Sequence, residues 1–104
     1  MFQKGKKSSP LTGGLSIMIV GCGKVGKTLV ERLSKEGHDI SVVDKSAARL
    51  QSVTNMYDVF GVVGNGASFT VLKEAGIEHT DILIAVTDSD ELNLLCCLVA
   101  KRSG

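Results

Sequence analysis

Tryptophan is absent from this 104-residue chain, proline occurs once, and aromatic residues supply only 4% of it. Excess charge is lacking too: twelve Lys and Arg stand against eleven Asp and Glu, a net charge of +1. That balance gives no support to a nucleic-acid partner, which is bound through a basic face. The one basic cluster, Lys4, Lys6 and Lys7, is confined to the first residues. Cysteine is scarce as well, with Cys22, Cys96 and Cys97 alone. Sequence neighbours rarely bridge each other and no pair of C-x-x-C motifs suggests zinc, so reduced thiols are expected. His38 and His79 have no second His or Cys at ligand spacing, so no metal site is expected. Nothing resembles a signal peptide, and no apolar run reaches the roughly 18 residues of a membrane span. The expectation is a soluble, intracellular chain without direct membrane insertion.

What the chain has is aliphatic side chains and glycine: 43% hydrophobic residues and twelve glycines. This length allows one domain, and this composition suits an α/β domain around a buried parallel sheet. Residues 1–14, MFQKGKKSSPLTGG, show no apolar period and are expected to be a flexible leader outside the folded domain of residues 15–104. Beyond them the pattern alternates. LSIMIV, HDISVVD, DVFGVVG and DILIAVTD read as four strands, continuous and aliphatic rather than alternating, as when helices cover both faces. Between and after them VGKTLVERLSKEG, SAARLQSV, FTVLKEAG and DELNLLCCLVAKR read as helices. Val25, Leu29, Val30 and Leu33 are expected on the inner face of the first helix, and Ala48, Leu50 and Val53 on that of the second. Short connections and right-handed crossovers give a Rossmann-like doubly wound parallel sheet of order 3-2-1-4. A full dinucleotide domain has six strands. The chain is therefore expected to be truncated, with its fourth strand at an open edge.

The loop after the first strand, GCGKVGKT, satisfies two phosphate-binding patterns. As G-x-G-x-x-G it uses Gly21, Gly23 and Gly26; as G-x-x-x-x-G-K-[ST] it uses Gly21, Gly26, Lys27 and Thr28. Both set backbone N–H groups and a helix N-terminus against phosphate, so the loop alone does not decide. Gly23 is free to vary in the second pattern but required in the first, where backbone approaches a pyrophosphate. Asp44 ends the second strand, where a dinucleotide fold carries the acid that accepts the ribose hydroxyls. An Asp beside the first strand would also serve Mg²⁺ in the second pattern, so ISVVD imitates both. The balance favours the dinucleotide loop, with Lys27 a solvated side chain, Thr28 a helix-interior one and Cys22 a small filler.

Four segments in order, IMIVGCGKVGKTLVERL, HDISVVDKS, VVGNGAS and DILIAVTDSDELNLL, make the chain resemble the N-terminal domain of the regulators of potassium conductance. It is most similar to the TrkA-type subunits of bacterial Trk potassium uptake systems. That resemblance implies a cytoplasmic regulatory domain, not an enzyme, held at the inner face of the cell membrane by a potassium-translocating membrane subunit. The implied ligand is NAD⁺ or NADH, alternatively ATP, ADP or AMP. By position, Gly21, Cys22, Gly23 and Gly26 with the backbone of Lys24 and Val25 would hold the phosphates. Asp44 would take the ribose and Lys45 would flank the adenine, with Asn65, Gly66 and Ala67 closing over it. Thr87, Asp88 and Glu91 would line the far side. The family usually has Asp at the place of Asn65 and lacks the inserted Gly66, which bears on nucleotide preference.

Two features remain. TDSDE reads most simply as a helix N-terminus, capped by Ser89 or Asp88 with Asp90 and Glu91 favoured by the dipole. The last helix, with Leu92, Leu94, Leu95, Cys96, Cys97, Leu98, Val99 and Ala100, is apolar nearly all round. It is expected at the interface of a homo-oligomer, a dimer or higher. The rival reading is the cofactor-binding half of an NAD-dependent oxidoreductase.

Overall fold

The computed structural model describes residues 2–3 and 14–103, with side chains described from residue 14 to 101 except at Cys96. Its order is β1 (Phe2–Gln3), β2 (Ser16–Val20), α1 (Lys24–Lys35), β3 (Asp39–Asp44) and α2 (Ala47–Thr54). There follow β4 (Phe60–Val63), α3 (Phe69–Glu74), a 3₁₀ turn (Ile77–His79), β5 (Ile82–Ala85) and α4 (Asp90–Ser103). The expected strands one to four are β2 to β5. They lie parallel in the expected order, within a sheet that runs β1-β5-β2-β3-β4.

The sheet separates two apolar cores because side chains alternate across a strand. Ile17 and Ile19 of β2 pack with Val30, Val42, Leu50 and Val53 beneath α1 and α2. Met18 and Val20 turn the other way, to Val43, Leu72, Ile77, Leu83 and Ala100 beneath α3 and α4. Ile19, Met18 and Leu83 are fully buried. Covering both faces is why these strands are continuously aliphatic. The helices change face where the chain leaves β4 and returns beside β2 as β5. The switch point therefore lies between the C-terminal ends of β2 and β5, where open α/β sheets bind ligands.

Three expectations are corrected. The fourth strand, β5, is not an open edge: Phe2–Gln3 pairs with it antiparallel, Phe2 opposite Leu83 and Gln3 opposite Ile82. An unpaired edge offers a row of N–H and C=O groups, and residues excluded from the fold by their polar neighbourhood use it. Residues 4–13, with the three leader lysines, lie outside the described residues. Val25 is 59% exposed, because the inward row of α1 is Gly26, Val30 and the half-buried Leu33. Ala48 is exposed too, since it sits two residues, about 200°, around the helix from the buried Leu50. On α4, Ala100 is buried against the sheet while Leu94, Leu95 and Leu98 are 63%, 51% and 48% exposed.

Candidate functional site

The loop between β2 and α1 is fixed by two glycines that the chain itself demands. Gly21 has φ +103°, a conformation side chains rarely adopt, and its N–H donates to the Val43 carbonyl at 2.7 Å. At Gly26 a Cβ would collide with the Gly21 carbonyl, so α1 can start this close to β2 only without one. Gly23 is different. Its φ of −74° suits any residue, and the nearest atom to a Cβ there would be Arg49 Nη1 at 3.9 Å. Neither conformation nor packing asks for glycine; what its absent side chain preserves is open space above the loop.

The start of α1 is also unlike those of its neighbours. Ser46 Oγ accepts the Arg49 N–H at 3.3 Å, Ser68 Oγ that of Val71 at 3.4 Å and Ser89 Oγ that of Leu92 at 3.1 Å. These are ordinary N-caps for α2, α3 and α4. At α1, Gly23 offers no side-chain cap and the first turn holds no acid. A helix start without a side-chain cap keeps N-terminal N–H groups and their partial positive charge available, an arrangement suited to an anion.

Across that space lies Asp44, at the end of β3 and only 8% exposed. Its Oδ2 accepts the Cys22 N–H at 2.8 Å and its Oδ1 the Ser46 N–H at 2.8 Å. Burial pushes the carboxyl's pKa up, but these two N–H groups, the Cys22 thiol and nearby Arg49 outweigh it and hold the group below the usual carboxylate value. It is a locked, ionised acceptor at neutral pH. Cys22 Sγ lies 3.4 Å from Oδ2, and burial with the Asp44 charge pushes the thiol up to about 12. A thiol so held is no nucleophile.

The third wall is the loop after β5. Asn93 Oδ1 accepts both the Thr87 N–H at 2.9 Å and the Thr87 hydroxyl at 2.6 Å, while Asn93 Nδ2 donates to the Thr87 carbonyl at 3.3 Å. This stitches the loop to the second turn of α4 and presents the edge of Thr87 to the cleft.

A cleft of about 200 Å³ opens between these walls at the switch point. Of the residues expected at the site, Gly21, Gly23, Asp44 and Lys45 line it, with Gly66, Thr87 and Asp88 opposite. The others do not. Cys22 is buried behind Asp44, Gly26 is packed against Gly21, and Lys24, Val25 and Glu91 are exposed on first helical turns. Asn65 Oδ1 accepts the Ala67 N–H at 2.9 Å, a side-chain turn that a carboxylate would close equally well. Lys27 and Thr28 are exposed on α1, outside the cleft lining, and the Thr28 hydroxyl donates to the Lys24 carbonyl at 3.0 Å. The residues that the triphosphatase pattern needs thus point elsewhere. Arg49, on α2, also lines the cleft, and the apolar period of its helix gives no sign of it.

Residues 17–104 match the family model described as the TrkA-N domain. The chain belongs to that family. A curated relative, the Trk system potassium uptake protein TrkA of Azorhizobium caulinodans, is 48% identical over 85 residues, 82% of this chain. The match covers 19% of that relative's length, so this TrkA-N domain spans about one fifth of it. Among solved structures, the Shewanella denitrificans Kef C-terminal domain in AMP-bound form superposes with a TM-score of 0.73 at 23% identity. It covers 84% of this chain and 52% of that one. The NAD(P)-binding domain of an exopolyphosphatase-related protein from Archaeoglobus fulgidus superposes with a TM-score of 0.73 at 17% identity, covering 86% and 67%. At such identities these two bear on the fold, which is Rossmann-like. No helix among the described residues is long and apolar enough to cross a membrane.

Proposed function

We propose that this TrkA-N domain is the nucleotide-sensing part of a potassium uptake regulator. It binds NAD⁺ or NADH, alternatively ATP, ADP or AMP, on the cytoplasmic side, and its occupancy controls a potassium-translocating membrane partner. The observation that carries this reading is the open space over Gly23, bounded by the uncapped start of α1 on one side and the locked Asp44 carboxylate on the other. The glycine loop, with the first N–H groups of α1 at Lys24 and Val25, holds the phosphates, and Asp44 accepts the ribose hydroxyls. Lys45 flanks the adenine beneath the loop of Asn65, Gly66 and Ala67, and Thr87, Asp88 and Glu91 lie towards the far half. A bound nucleotide supplies charge and shape rather than a reaction. The role is regulatory rather than enzymatic, in keeping with the Trk potassium uptake proteins to which the chain is similar. The exposed Leu94, Leu95 and Leu98 of α4 are the face through which copies associate.

Calorimetric titration with NAD⁺, NADH, ATP, ADP and AMP tests this. Saturable binding of at least one is expected, and Asp44→Ala should weaken it roughly 10- to 150-fold, since bonds to a charged acceptor contribute about 1.5–3 kcal/mol. NADPH should bind less tightly than NADH, because the carboxylate repels a 2′-phosphate. Absence of saturable binding overturns the reading, and equal affinity for NADH and NADPH overturns the ribose assignment.

A further inference from the structure

Arg49 sits in the first turn of α2, its N–H held by Ser46 Oγ and its carbonyl accepting the Ser52 hydroxyl at 2.8 Å. The backbone is therefore fixed, and the side chain reaches away from its helix across the cleft. Its Nη1 comes to 3.9 Å from the point a Cβ would occupy on Gly23, in the space that glycine keeps open. The guanidinium is close enough to Asp44 to be felt by that carboxylate, yet it forms no ion pair with it. Both carboxylate oxygens are instead taken up by the backbone of Cys22 and Ser46. Among the described residues the guanidinium has no ion-pair or hydrogen-bond partner. A planar fork of donors, aimed at a cavity from a fixed backbone, is suited to bidentate contact with phosphate oxygens.

Resting on the nucleotide-binding reading above, we infer that Arg49 is a phosphate-binding residue of this site, clamping the 5′-phosphates of the bound nucleotide over Gly23. The 5′-phosphates are the target rather than a 2′-phosphate for a geometric reason. Gly23, which Arg49 faces, is where backbone approaches the pyrophosphate, whereas the ribose hydroxyls meet the Asp44 carboxylate, which repels a phosphate there. Lys45, also on the cleft, is an exposed point charge at the adenine side and cannot replace a fork over Gly23. The plain alternative is a solvated arginine on an exposed helix, whose removal changes no affinity.

The test is titration of NADH, NADPH and ADP into the parent, Arg49→Gln and Arg49→Lys, with thermal unfolding of each ligand-free protein as the check on folding. Arg49→Gln should keep the melting temperature and weaken NADH, NADPH and ADP alike, roughly 10- to 150-fold. Arg49→Lys should recover part of the loss, keeping charge but not the fork. Affinities within twofold of the parent for all three overturn the inference while leaving the functional reading intact. Loss confined to NADPH overturns it in favour of a 2′-phosphate contact. A parent that binds none of these three, nor NAD⁺, ATP or AMP, overturns the functional reading and the inference with it.

Discussion

Asp81 and Asp44 lie at opposite ends of one parallel sheet, and their surroundings differ in a way that separates scaffold from site. Asp81, just before β5, is 1% exposed and its Oδ2 accepts the Ser16 N–H at 2.9 Å, while its own N–H donates to the Ser16 carbonyl at 2.8 Å. These bonds tie the start of β5 to the start of β2 and serve the chain alone. Asp44, at the other end, also takes two backbone N–H groups, but it borders a cleft. Around it are an uncapped helix start, a glycine no backbone constraint requires and an arginine without a protein partner among the described residues. At the first end, both bonds between Asp81 and Ser16 join chain to chain. At the other, these polar groups border the cleft proposed above for the nucleotide.

That contrast predicts separable losses. The largest belongs to Asp81→Ala, which leaves the Ser16 N–H without its acceptor. It should cost about 1–3 kcal/mol of stability, at roughly 4–8 °C of melting temperature per kcal/mol for a domain of this size. Nucleotide affinity of the folded fraction should not change; a fall in affinity of the kind expected for Asp44→Ala would erase the distinction between the two ends.

A smaller effect concerns acid. The Asp44 carboxyl titrates below its usual value when folded, so its contribution to stability is complete above about pH 4, its unfolded range, and is lost as pH falls through the lower folded value. Melting temperature followed from pH 7 to pH 2 should drop more steeply below pH 4 for the parent than for Asp44→Asn. NADH affinity, by contrast, should not follow Asp44 between about pH 5.5 and 8, where the group stays ionised. A break in affinity within that range that disappears in Asp44→Asn would contradict the assignment.

The smallest effect separates the two phosphate patterns. Lys27→Ala should alter ATP affinity by less than about 1 kcal/mol, as for an exposed charge, with no requirement for Mg²⁺. ATP hydrolysis that needs both Mg²⁺ and Lys27 would restore the triphosphatase reading.

Much of this was legible in the residues. Strands covered on both faces must be aliphatic throughout, so β2 to β5 stand out. The position of Asp44 at the end of β3 is legible from the aliphatic run that it closes. What escaped depends on the third dimension. The reach of Arg49 over Gly23 follows from how α2 packs beside the glycine loop, which no local pattern encodes. Cys22 was expected beside the phosphates, but the turn at Gly21 directs its side chain inward against Asp44. Phe2–Gln3 gives no strand signal, because two residues carry no period, and only the edge of β5 gives them a place.

The measurement that bears most directly on the account is Gly23→Ala, read by thermal unfolding and by NADH titration on the same sample. Gly23 has a negative φ and no atom beyond its chain neighbours lies closer than 3.9 Å to the added methyl, so the protein should stay folded and lose no more than about 1 kcal/mol, the cost of alanine at a helix N-cap. NADH affinity should fall about tenfold or more, because the methyl fills the space where phosphate meets backbone. Parent-like affinity in a folded Gly23→Ala protein, or loss of the fold itself, would contradict the claim that this glycine is there for a ligand.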